Sequence, residues 1–120
     1  MANVLVIEDE ELIRESILNL LNTRGFSATG SNNGKLGLQL AKEIGPDLIL
    51  CDVRLPELDG YEVLRAIRQD PATANIPLIF LTAETTQDVL SRGQLLGANG
   101  YLAKPFTTAE LLKAIASHLR

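Results

Sequence analysis

The stretch Asp47-Leu48-Ile49-Leu50-Cys51-Asp52-Val53-Arg54-Leu55-Pro56-Glu57-Leu58-Asp59-Gly60 decides the fold. An apolar run meets a carboxylate, Asp52, and then a loop punctuated by Pro56 and Asp59-Gly60, after which helical spacing begins. A run that is apolar at every position, rather than at alternate ones, reads as a strand covered on both faces, the habit of parallel sheets. A charge at the end of such a strand needs water or a cationic partner, because burying it unpaired is expensive.

Working outward, three runs repeat the pattern. Asn3-Val4-Leu5-Val6-Ile7 ends in Glu8-Asp9-Glu10-Glu11, Ile76 to Leu81 ends in Thr82-Ala83-Glu84, and Gly100 to Ala103 ends in Lys104-Pro105-Phe106. A weaker strand is expected over Phe26 to Thr29, before the turn-rich Gly30 to Gly34. Helical spacing lies between the strands. Leu12, Ile13, Ile17, Leu20 and Leu21 predict a helix ending before Gly25, with Glu10 and Glu11 exposed in its first turn. Leu36 to Ile44 predicts a second, stopped by Gly45-Pro46, and a third runs from Asp59 or Gly60 to Asp70-Pro71 with Asp59 as cap. Gln87 to Leu96 predicts a soft fourth, since Gly93 in its interior costs about 1 kcal/mol relative to alanine. Leu111, Leu112, Ile115 and Leu119 mark the last, capped by Thr107 or Thr108, with His118 solvated near its end.

Five strands alternating with five helices predict one α/β domain over residues 1–120, a doubly wound five-stranded parallel sheet with helices on both faces. Such sheets bind ligands outside the carboxyl ends of the strands, which brings Glu8, Asp9, Asp52, Thr82 and Lys104 to one rim. The 120 residues, 46% hydrophobic, suffice for a single core. With 11 basic residues scattered among 15 acids, net charge -4, the domain is not expected to hold nucleic acid directly. One cysteine, Cys51, forms no internal disulfide or cysteine metal site and is expected to pack inertly on the side of the strand away from Asp52. Without a signal peptide or a membrane-spanning apolar run, a soluble, cytoplasmic setting is the expectation.

Glu8, Asp9 and Asp52 repel one another unless a cation or a proton neutralises them. An oxygen-only set with room for water suits Mg²⁺ better than Ca²⁺, and the one histidine leaves nothing for zinc. A metal beside a carboxylate, with Lys104 and Thr82 opposite, suits phosphoryl transfer with Asp52 as in-line nucleophile.

These residues also carry a resemblance that covers essentially the whole chain. Val4 to Glu10, Asp52-Val53-Arg54-Leu55-Pro56-Glu57-Leu58-Asp59-Gly60, Leu81-Thr82-Ala83 and Gly100-Tyr101-Leu102-Ala103-Lys104-Pro105-Phe106, in that order, resemble the receiver domain of two-component response regulators, of the single-domain chemotaxis-regulator kind. The resemblance implies a flavodoxin-like strand order of 2-1-3-4-5 and makes Asp52 the phosphoacceptor for a sensor histidine kinase or histidine phosphotransfer protein. It implies Mg²⁺ held by Glu8, Asp9, Asp52 and the Arg54 backbone carbonyl, phosphoryl oxygens held by Thr82 and Lys104, Thr82 with Tyr101 as a switch pair, and a cis Lys104-Pro105 bond. It further implies that the strand 4, helix 4, strand 5 and helix 5 face changes shape for a downstream protein target or an attached effector domain. No outside substrate is turned over; the reactions are Mg²⁺-dependent self-phosphorylation and self-dephosphorylation.

This chain departs from the pattern at Arg54 and Glu84, each two residues past a site residue and able to pair across the pocket mouth, where they would tune access. Gly93 stands where alanine is frequent, and Asn99-Gly100 replaces a frequent acidic pair. Three rivals fit less well. An aspartyl-phosphate phosphohydrolase wants a second Asp where Arg54 stands. A flavin domain of the same sheet order wants a Ser/Thr/Gly-rich loop and more than 4% aromatics. An unphosphorylated scaffold has no use for the full set of site residues.

Overall fold

Side-chain alternation explains how strands that are apolar throughout build a three-layer domain. In the computed structural model, which describes residues 2–119, the order is β1 (Asn3–Ile7), α1 (Glu11–Thr23), β2 (Ser27–Ser31), α2 (Gly34–Ile44) and β3 (Leu48–Asp52). There follow α3 (Gly60–Gln69), β4 (Leu78–Thr82), α4 (Gln87–Leu96), β5 (Gly100–Ala103) and α5 (Thr108–His118). All four pairings are parallel and the sheet order is β2-β1-β3-β4-β5, as the resemblance implied. Leu5, Ile7, Ile49, Cys51, Leu78 and Phe80 pack with Val63, Leu64 and Ile67 of α3 on one face. Val4, Val6, Leu48, Leu50, Ile79 and Leu81 pack with Ile17, Leu21, Leu111 and Ile115 of α1 and α5 on the other. Cys51 is buried in the first set, one residue before Asp52.

Local chemistry sets the helix starts. Asp59 and Thr107 each build a reciprocal capping box, with Glu62 and Glu110 respectively, and Asn33 and Thr86 accept from the backbone N–H three residues on. Thr107 is therefore the cap of α5, not Thr108.

Three expectations need correction. β2 is Ser27–Ser31, later than Phe26 to Thr29, because an edge strand reading Ser-Ala-Thr-Gly-Ser offers little apolar signal while Phe26 joins the core beneath α1. β4 begins at Leu78; the Ile76 N–H instead closes a turn on the Thr73 carbonyl. His118 is not simply solvated: it is half-buried, with Nδ1 2.9 Å from the Ala114 carbonyl and Nε2 2.9 Å from that of Asn99.

Glu57, in the loop after β3, has φ 65°, the left-handed region that L side chains occupy at a cost. Glu57→Asn is expected to stabilise the domain by about 0.5–1 kcal/mol, since asparagine tolerates this conformation best among residues with a side chain. Urea unfolding of both proteins measures the gain, and an unchanged midpoint would show the turn to be unstrained.

Candidate active site

The parallel strands end together, and each delivers one polar group to the rim on either side of the point where the chain crosses from β2 past β1 to β3. At the end of β1 the ladder runs one bond further, from the Glu8 N–H to the Ser31 carbonyl at 3.0 Å, which drives the Glu8 side chain to 0% exposure. Glu8 Oε2 accepts from the Glu10 N–H at 3.2 Å. Arg14 donates to the Glu8 carbonyl at 2.9 Å, a contact that sequence reading missed because it depends on where α1 lands. Asp9 is exposed beside it.

Asp52 closes β3 at 5% exposure. Its Oδ1 accepts from the Arg54 N–H at 2.9 Å and its Oδ2 from Lys104 Nζ at 2.8 Å. Lys104 follows β5, held by its own N–H on the Thr82 carbonyl at 2.8 Å, and the Lys104-Pro105 bond is cis. Its ammonium also stands 2.6 Å from Glu8 Oε1. Glu8 Oε1 has no other partner among the described residues.

Burial pushes the Glu8 carboxyl up to about 7; the Lys104 bond opposes the rise and the neighbouring Asp52 adds to it. Burial lowers the Lys104 ammonium, but the bonds and charges of Asp52 and Glu8 outweigh it and leave the group above the ordinary lysine value.

One carboxylate oxygen from each of Glu8, Asp9 and Asp52 lies within 4.8 Å of the others. With three carboxylates grouped beside a single ammonium and the Arg54 carbonyl accepting no hydrogen bond among the described residues, this donor set fits a hard divalent cation.

Thr82, 1% exposed, shares the rim, but its hydroxyl is turned to Glu84, donating to the carbonyl at 3.0 Å and accepting from the N–H at 2.9 Å. The Glu84 carboxylate binds the Arg54 guanidinium, with Nε at 2.6 Å and Nη2 in direct contact. Arg54 also lines a groove of about 570 Å³ between the β3–α3 loop and α4. Glu8, Asp9 and Asp52 do not line this groove. Tyr101 is not at the rim: it lies under α4 with its hydroxyl donating to the Leu90 carbonyl at 2.5 Å. Among the described residues no helix is long and apolar enough to cross a membrane.

Residues 4–116 match the family model described as response regulator receiver domain. The chain is 42% identical over 118 residues to the uncharacterized transcriptional regulatory protein YkoG of Bacillus subtilis, covering 98% of this chain and 51% of that one. It thus spans about half the length of the first curated relatives it matches. Chemotaxis protein CheY4 of Vibrio cholerae superposes with TM-score 0.96 at 32% identity, covering 99% of both chains. The receiver domain of sensor histidine kinase PA1611 from Pseudomonas aeruginosa, which has a magnesium ion coordinated in its active site cleft, superposes with TM-score 0.90 at 34% identity over 98% of this chain and 96% of that one. The chain belongs to the response regulator receiver domain family of two-component systems.

Proposed function

We propose that residues 1–120 form one receiver domain in which Asp52 accepts a phosphoryl group from a phosphohistidine of a sensor kinase or histidine phosphotransfer protein. The observation that carries this reading is the setting of Asp52: a nearly buried carboxylate with Lys104 on one oxygen and the carboxylates of Glu8 and Asp9 beside it. A carboxylate oxygen of Asp52 attacks phosphorus in line, the acyl phosphate forms, and the P–N bond breaks to return a neutral imidazole after proton uptake. Lys104 and Thr82 bind the phosphoryl oxygens, Thr82 by releasing Glu84. Glu8, Asp9, Asp52 and the Arg54 carbonyl would hold Mg²⁺, which would supply the positive charge that lets carboxylates and phosphoryl oxygens share one pocket. Water later cleaves the acyl phosphate, so the chain modifies and restores itself and turns over no outside substrate.

The donor's approach is supported by an apolar groove lined by Leu12, Ile13, Ile17, Ala83, Pro105 and Phe106, which Lys104 also lines. Leu12, 86% exposed on α1, has no packing role inside the domain and suits the apolar side of a donor helix. Thr82 and Tyr101 form the switch pair: Thr82 senses the phosphoryl oxygens, and Tyr101 shapes the α4–β5–α5 face that a downstream protein or attached effector reads. We infer a cytoplasmic setting from the same reading, since that is where kinases of this kind present their phosphohistidine.

Intact-mass analysis after incubation with Mg²⁺ and a small phosphodonor tests the central claim. The unaltered chain is expected to gain one base-labile phosphoryl group and Asp52→Asn none; equal labelling of the two would sink it. The Arg54–Glu84 pair is proposed to restrict water at the pocket mouth. Arg54→Ala and Glu84→Ala are therefore both expected to speed loss of that label in a time course, and unchanged rates would exclude the gate.

A further inference from the structure

Tyr101 occupies a place that a single glycine makes possible. Its ring packs on Phe80, centroids 5.9 Å apart at 37°, and Phe80 is backed in turn by Tyr61 at 5.5 Å and 68°. The Tyr101 hydroxyl donates to the Leu90 carbonyl at 2.5 Å and lies 3.4 Å from that of Val89, so it is tied to the backbone of α4. Gly93 faces it, buried, on the same helix. A Cβ there would collide with the Tyr101 hydroxyl and stand 3.0 Å from both Tyr101 Cζ and Phe80 Cε2. The ring cannot yield while keeping its bond, because Phe80 closes one side and α4 the other. Any residue larger than glycine at 93 thus competes with the ring for the same volume.

The other half of the switch pair is held elsewhere. Thr82 is bonded to Glu84, and no hydrogen bond joins it to Tyr101 among the described residues. We propose that Gly93 is a socket that keeps Tyr101 packed beneath α4 with no phosphoryl group on Asp52, so that this half of the switch is preset. The proposal rests on the reading of Asp52 and Thr82 given above, but the socket itself does not depend on phosphorylation. If Tyr101 is already in place, a phosphoryl group moves the Thr82 half alone. Drawing the Thr82 hydroxyl inward breaks its bonds to Glu84 and loosens Arg54, so the signal leaves through the β4–α4 loop and the mouth of the groove beside it.

The chain has no tryptophan and two tyrosines, so Tyr61→Phe leaves Tyr101 as the only emitting ring. In that background, without phosphodonor, acrylamide is expected to quench Tyr101 several-fold less than it does in the urea-unfolded chain. Burial also raises the Tyr101 phenol above its ordinary value, so it should titrate above about 10. Addition of Mg²⁺ and beryllium fluoride, a phosphoryl mimic, should change neither reading. Gly93→Ala should expose the ring and return the phenol to about 10. If Gly93→Ala fails to fold alone, its cost is measured against Tyr101→Ala, where it should largely vanish because the clashing ring is gone.

A ring as exposed as in the unfolded chain, a ring that becomes protected only with beryllium fluoride, or a Gly93→Ala cost unaffected by Tyr101→Ala would each overturn the socket. Failure of the phosphoacceptor reading appears instead as absence of label on Asp52, and leaves the protection of Tyr101 untouched.

Discussion

Gly60→Ala is expected to cost about 3 kcal/mol of stability and to cripple phosphoryl acceptance at Asp52, although it adds one methyl group at a helix N-terminus. Elsewhere alanine improves a helix over glycine by about 1 kcal/mol. Here the methyl has nowhere to go. A Cβ on Gly60 would run into the carbonyl oxygen of Asp52, 2.8 Å from the Val53 Cα and 3.1 Å from the Asp52 carbonyl carbon. All three are main-chain atoms, so no rotamer change relieves the overlap. The contact exists because the Gly60 N–H donates to the Val53 carbonyl at 2.9 Å while Asp59 caps α3 through Glu62, which pins the first turn of α3 onto the end of β3. The chain must therefore move either α3, with Tyr61, Val63, Leu64 and Ile67 in the core, or the peptide that carries the Asp52 side chain. The first loses packing; the second displaces Asp52, the proposed nucleophile, by a distance that in-line attack does not tolerate. Urea unfolding and the mass assay measure the two outcomes together. A variant as stable and as readily labelled as the parent would show that β3 and α3 are not coupled through this contact.

Gly60 also shows where sequence reading stops. Asp59-Gly60 reads as a loop closure, and the loop is there, but what requires glycine is a neighbour found only after α3 docks. The same limit explains Gly93, read as a soft spot in α4 and found to be space for Tyr101. It also explains His118, whose partner Asn99 is 19 positions away, and Arg68, which passed unnoticed. Arg68 donates to the carbonyls of Ala74, Ile76 and Gly97 and to the side chain of Asn99, tying α3 to the loop before β4 and to the loop after α4. By contrast, the strands were legible because apolar runs covered on both faces need no partner to be recognised. The rim was legible because parallel strands must end on the same side. Thus Glu8, Asp9, Asp52, Thr82 and Lys104 could be grouped from strand ends alone. The pairing of Lys104 with two carboxylates at once, and the turn of Thr82 toward Glu84, depend on rotamers that the sequence does not encode locally.

Lys104→Met tests the electrostatics of that group, and its effect is expected to depend strongly on pH. Without bound metal, folding holds the Glu8 carboxyl at about 7 against an ordinary value of 4.5. Between these values the folded chain keeps a proton that the unfolded chain has released. Stability of the metal-free domain therefore falls as pH rises from about 4.5 to about 7, by at most about 3 kcal/mol, and is level beyond. Lys104 is the principal group opposing the rise, so its removal moves Glu8 higher and carries the loss into more alkaline solution. Leaving Glu8 and Asp52 without their cation should cost about 3 kcal/mol at pH 8. At pH 5 the cost should be much smaller, because a proton on Glu8 replaces the missing ammonium. Mg²⁺ at millimolar concentration should restore part of the stability at pH 8 and flatten the slope of the parent protein, since it takes the role of the proton. Phosphoryl acceptance should fall about a hundredfold, the usual effect of removing one donor from a developing anion, and Mg²⁺ should not rescue it because the ammonium acts on different oxygens. Urea unfolding at pH 5 and 8, with and without Mg²⁺, separates these contributions. An equal stability loss at both pH values would mean that Glu8 is not the group Lys104 restrains, and that the buried oxygen beside Asp52 is neutralised by something else.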